Sequence, residues 1–101
     1  MNSEGKNMWD DLLGEDSVGT EGGEVIADEG YKYSCRITLE KLNQGYAITC
    51  GIYGCMMHTV YCGEDYMKKY DEMKSELQRF VDSDLTEDEK NKFYDDFTSR
   101  F

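Results

Sequence analysis

Apolar and polar positions alternate strictly over residues 31–39. Tyr31, Tyr33, Cys35, Ile37 and Leu39 fall on one side, and Lys32, Ser34, Arg36, Thr38 and Glu40 on the other. Period two with aromatic and β-branched residues predicts a strand. Asn43-Gln44-Gly45 reads as a turn in which Gly45 takes a positive φ. Residues 46–52 read as a second strand, Gly54 as a second turn, and 55–62 as a third strand ended by Gly63. Glu24-Val25-Ile26-Ala27 is a candidate fourth strand, short and at an edge.

Turn lengths then set the register. A two-residue turn at Gln44-Gly45 puts Leu39 opposite Cys50 and Ile37 opposite Ile52, apolar against apolar. A second at Tyr53-Gly54 puts Cys50 opposite Met57 and Ile48 opposite Thr59. One face is then an apolar layer: Tyr33, Cys35, Ile37, Leu39, Tyr46, Ile48, Cys50, Ile52, Met57 and Tyr61. The other, carrying Arg36, Thr38, Ala47, Thr49, Tyr53, Met56, His58 and Val60, is mixed.

The pattern changes period after Gly63. Tyr66, Tyr70, Met73, Leu77 and Phe80 recur every three or four residues, one stripe of an amphipathic helix over 65–82. Glu64 or Asp65 suits its start, by capping and by the helix dipole. Thr86 with Glu89 forms a capping box for a second helix. Phe93, Phe97 and Phe101 line one side of that helix, with Tyr94 beside them. This ladder either docks on the fold or meets a partner. The whole reads as a small α+β domain: an antiparallel sheet of three to four strands followed by two C-terminal helices, the first packed on one sheet face.

Charge divides the chain further. It carries 22 acidic and 11 basic residues, a net charge of −11. Residues 1–29 hold nine acids and one base, 30–62 one acid and three bases, and 63–101 twelve acids and seven bases. Residues 1–23 are acidic and glycine-rich, which predicts a flexible leader separable from a single domain over 24–101. Within it Met8, Trp9, Leu12 and Leu13 fit one face of a short helical turn. That turn docks in a partner's groove, or Trp9 folds back on its own domain or is carried on a disordered tail. An excess of acid disfavours direct binding to nucleic acid or to an anionic membrane. No apolar run approaches the length of a membrane span. Acid follows Lys6 where a secretory signal would be apolar, so a cytoplasmic location and reduced thiols are expected.

Candidate chemistry is thin. Cys50, Cys55, His58 and Cys62 are spaced C-x4-C-x2-H-x3-C, without the C-x2-C knuckle common in zinc sites. The register above sends Cys35, Cys50 and Cys55 to one face and His58 and Cys62 to the other, so no metal and no cofactor are expected. A cysteine nucleophile needs a cationic setting, and this chain offers little. The run from Asp82 has Glu87 and Phe93 where a calcium loop needs Gly and a bidentate Glu. No catalytic motif is present, so the chain is expected not to be an enzyme. The function expected is a small acidic binding protein of the inhibitor, immunity or regulatory-adaptor type, meeting a basic protein partner. The candidate contact residues are Trp9, Tyr53, His58, Asp71, Glu72, Phe93, Asp95, Asp96, Phe97 and Phe101. The alternative is a small-ligand or metal-binding module on the cysteine-rich sheet. The partly apolar second face suggests either packing of the leader there or a homodimer.

Overall fold

The structure is a computed structural model that describes residues 9–12, 18–19 and 21–101. In chain order it contains β1 (Asp10–Asp11), β2 (Glu24–Tyr31), β3 (Cys35–Lys41), β4 (Tyr46–Ile52), β5 (Met56–Cys62), α1 (Tyr66–Asp82) and α2 (Glu87–Arg100). The strands form one antiparallel meander in the order β1-β2-β3-β4-β5. This is the α+β arrangement the patterning predicts, with one more strand.

The departures from the predicted sheet arise at its turns. The alternation over 31–39 conceals a turn. Tyr31 ends β2, and the Ser34 N–H donates to its carbonyl at 2.9 Å. Lys32 and Tyr33 between them have φ of 52° and 55°, the backbone of a type I′ turn. Tyr33 therefore stands at the tip, 92% exposed, rather than in the apolar layer. The segment beginning at Glu24 is correspondingly longer than expected, and it lies inside the sheet, with β1 beyond it.

The next connection spans residues 42–45, because Lys41 pairs with Tyr46. Leu39 thus faces Ile48 and Ile37 faces Cys50, rather than Cys50 and Ile52. The slip is two residues, and with a period of two each side chain keeps its face. Gly45 has the expected positive φ, 82°.

The third connection matters more. Gly54 (φ 79°) makes the turn, and the Cys55 N–H donates to the Ile52 carbonyl at 2.9 Å. Cys55 belongs to the loop, so Ile52 pairs with Met56, Cys50 with His58 and Ile48 with Val60. Relative to the expected register this is a slip of one, which turns every β5 side chain over. Met56, His58 and Val60 lie under the helices. Met57 and Tyr61 point the other way, 74% and 62% exposed.

The covered face carries three cross-strand rows: Tyr31–Cys35–Ile52–Met56, Glu29–Ile37–Cys50–His58 and Ala27–Leu39–Ile48–Val60. α1 buries Tyr70, Met73 and Leu77 against this layer. Each such side chain contributes about 1.5–3 kcal/mol through loss of apolar surface to water. Asp65 occupies the N-cap of α1 but makes no side-chain cap bond, so the expected capping role fails there. At α2 the capping box forms in full, Glu89 N–H to Thr86 Oγ1 at 3.2 Å and Thr86 N–H to Glu89 Oε1 at 2.9 Å. α2 docks through its phenylalanines. Phe93 packs on Phe80, ring centroids 4.6 Å apart, and Phe97 is buried between Phe93 and Phe101.

Part of the acidic N-terminal stretch belongs to the folded body. Trp9 is buried in the core cluster and stacks on Tyr31 at 5.2 Å. Its indole N–H donates to Gln78 Oε1 at 3.0 Å, and the Lys74 ammonium sits 5.3 Å from its ring centroid. Asp10–Asp11 then pairs with β2. A strand therefore replaces the expected helical turn at these residues, and the folded sheet begins before residue 24. Met8 and Leu13, assigned to that turn, lie outside the described residues.

Candidate functional site

The face of the sheet turned away from α1 and α2 is built from three rows. Asp28–Thr38–Thr49–Thr59 runs across its middle, Gly30–Arg36–Gly51–Met57 lies on one side, and Glu40–Ala47–Tyr61 on the other. Small residues, Ala47, Thr49 and Gly51, occupy interior strand β4. Larger ones rise around them: Val18, Val25, Arg36, Tyr53 and Met57. The result is a shallow hollow of about 490 Å³. It exists because β4 alternates large residues toward the helices with small ones toward this side.

The polar groups in the hollow are largely committed to one another. Arg36 grips Asp28 with two nitrogens, Nε to Oδ1 at 2.8 Å and Nη2 to Oδ2 at 2.5 Å, and the Thr38 hydroxyl donates to Oδ1 at 3.0 Å. The Arg36 guanidinium holds the Asp28 carboxyl below the usual aspartate range, against the opposing effect of burial. The hydroxyls of Thr49 and Thr59 lie 3.0 Å apart. Toward the other end Glu40 is fully buried. Its carboxylate accepts from the N–H of Gly23 at 2.8 Å and of Glu21 at 3.3 Å, and the Tyr61 hydroxyl donates to Glu21. Residues 21–23 of the acidic stretch thus close one end of this face and leave the β5 side open.

The part over β4 and β5 is apolar and uncharged. None of the chain's charged residues falls between Leu42 and Gly63, a stretch that holds all of β4 and β5. In β4 burial explains this. In β5 it does not, because Met57 and Tyr61 are exposed, as is Tyr53 in the preceding loop.

The sequence-derived contact residues do not form one surface. Trp9 and Phe97 are core, and Phe93 and Phe101 are half-buried in the α1–α2 packing. His58 faces the helices, edge-on to Phe97 at 6.2 Å, with its Nε2 buried and unpartnered. Asp71, Asp95 and Asp96 are exposed on the helices and Glu72 half-buried; Asp96 pairs with Lys92 at 3.7 Å. Tyr53 is the one that borders the hollow. The register expected from turn length places Met57 and Tyr61 in the core, and Asp28 and Glu40 stand out in no motif. The glycines at 19, 22 and 23 are the one sequence signal that a tight turn gathers near a buried acceptor.

The flipped strand also changes the thiols' setting. Cys35, Cys50, His58 and Cys62 share the covered face, contrary to the split expected from sequence. Among the described residues no group of three or more His, Cys, Asp or Glu is placed to hold a metal ion. Cys50 lies directly across from His58, but burial pushes its thiol up to about 12 and that of Cys35 to about 11. Neither is a thiolate at neutral pH, so the Cys50–His58 pair lacks the activated sulfur that nucleophilic catalysis needs. Comparison of the chain with family models, curated proteins and solved structures gave no match. No helix among the described residues is long and apolar enough to cross a membrane.

Proposed function

We propose that this chain is a small non-enzymatic binding protein of the cytoplasm that meets another protein through the open face of its sheet. The observation that carries the reading is a set of exposed, uncharged side chains, Tyr53 and Met57 at the rim of a concave floor and Tyr61 further along the same face of β5, on a molecule of net charge −11. Aromatic and methionine side chains are enriched at protein interfaces, where charge is depleted from the centre. The acidity of the molecule as a whole steers association toward a basic partner. A ligand reading has the volume of the hollow in its favour. Against it, the hollow is open, and its polar groups already satisfy each other.

The test starts from capture of a partner out of an extract of the source cells, followed by kinetics on the purified pair. Met57→Lys should weaken binding at least about tenfold, the loss expected when a charge enters an interface centre. Added salt should slow association steeply. Asp95→Asn with Asp96→Asn should reduce that salt dependence while sparing the fold. Unchanged affinity in Met57→Lys would overturn the assignment of this face.

A further inference from the structure

The two edges of the sheet are protected to very different degrees. β1, at one edge, is two residues long, and both are exposed aspartates. Short, charged edges are how natural sheets discourage strand addition. β5, at the other edge, is Met-Met-His-Thr-Val-Tyr-Cys, seven residues with no charge and no proline. Its pairing with β4 runs unbroken from Tyr46↔Cys62 to Ile52↔Met56, so no bulge turns it aside. Among the described residues no strand pairs with its outer side. A regular edge of this kind is a template for another strand.

Charge favours a second copy of this chain as the occupant. Two molecules of net charge −11 repel each other, but at β5 they can approach without setting like charges opposite. The strand is also self-complementary about its middle residue. An antiparallel two-fold pairing centred on Thr59 sets Met57 against Tyr61, His58 against Val60 and Met56 against Cys62. Each pair keeps to one side of the joined sheet, and each is uncharged on both partners. A two-fold interface needs this self-matching, since the same residues serve both subunits.

We propose that β5 pairs antiparallel with β5 of a second copy about a two-fold axis at Thr59, joining the two sheets edge to edge. The homodimer does not depend on the protein-binding reading of the open face. It places the two open faces side by side, with Met57 of each copy next to Tyr61 of the other, so their exposed side chains form one continuous surface.

The experiment uses the purified full chain alone. Light scattering across a concentration series into the hundred-micromolar range should show a mass rising to twice 11.7 kDa. Thr59→Lys sets two ammonium groups opposite each other at the axis and should return the mass to one chain, as should Thr59→Glu. An equimolar mixture of the two variants should restore the dimer, since unlike charges then meet. Far-UV circular dichroism checks that each variant is folded. Hydrogen exchange of the unmodified chain gives a readout independent of mutation: β5 amides should slow as the dimer forms, while exposed amides of α2 do not. A monomer at every concentration would overturn the proposal and leave this edge to a strand of another protein. A dimer insensitive to both substitutions, or one without added protection in β5, would overturn it as well.

Discussion

Asp28 shows how one side chain shapes the open face. It sits in an interior strand, nearly buried, and is tolerable there because Arg36 and Thr38 supply three hydrogen bonds. Bonds of this charge-assisted kind are worth about 1.5–3 kcal/mol each before the cost of desolvation. Because Arg36 lowers the folded-state pKa of Asp28, the carboxylate stabilises the fold fully above its unfolded value of about 3.9. That stabilisation is lost as pH falls through the lowered folded value. Asp28→Asn should therefore melt below the unmodified protein at neutral pH, and the gap should close in strong acid. Melting curves from pH 7 downward check this, and a gap constant with pH would mean that Arg36 does not recognise the charge.

At the scale of elements, what was legible depended on turn length. Helix α1 and the capping box of α2 stand out in sequence because each repeats a local rule several times over. The face of β3 and β4 survived a wrong loop length because the error was two residues. The face of β5 did not, because Cys55 added one. Nothing in Tyr53-Gly54-Cys55 distinguishes a two-residue from a three-residue loop, and both registers bury plausible apolar sets. The turn at Lys32-Tyr33 was illegible for another reason, since neither residue favours a positive φ. Folding-back of Trp9 is among the readings its spacing allows, but the acidic, glycine-rich surroundings hide the strand beside it, and the β5 error hides the exposed residues of the open face. The loop makes a direct prediction. Deleting Cys55 leaves Tyr53-Gly54 as a two-residue loop that keeps Ile52 opposite Met56, but a type I′ turn then requires a positive φ at Tyr53. Deletion should cost about 1–3 kcal/mol in chemical denaturation, from that backbone strain. Cys55→Ser keeps the length and should change stability by under about 0.5 kcal/mol. Equal effects of the two would show that thiol chemistry, not loop length, is what Cys55 contributes.

For the molecule as a whole, the open question is what the acidic N-terminal stretch does for the fold. Composition argues that residues 1–23 are dispensable, and the packing argues the reverse. Trp9 fills the space between Tyr31 and α1, while β1 covers the edge of β2. At the other side of the sheet, Glu21 and Gly23 supply backbone N–H groups to the buried Glu40 carboxylate. Removing the stretch deletes a large core side chain, at about 3–5 kcal/mol for a Trp-to-Ala change. It also strips a buried acceptor of partners, at about 1–3 kcal/mol or more for a charged group. One effect opposes these: the segment carries six acids and one base, so its loss relieves self-repulsion. That relief is screened by salt, whereas packing is not. Truncation before Glu24 should therefore destabilise the chain strongly, and more visibly in high salt than in low. Trp9→Ala alone should account for about 3–5 kcal/mol of the loss with little salt dependence. Urea denaturation of the three proteins at two ionic strengths makes the comparison. A truncated chain that unfolds cooperatively within about 1 kcal/mol of the intact one would mean that neither Trp9 nor the partners of Glu40 belong to the folding unit, and the composition-based boundary would stand.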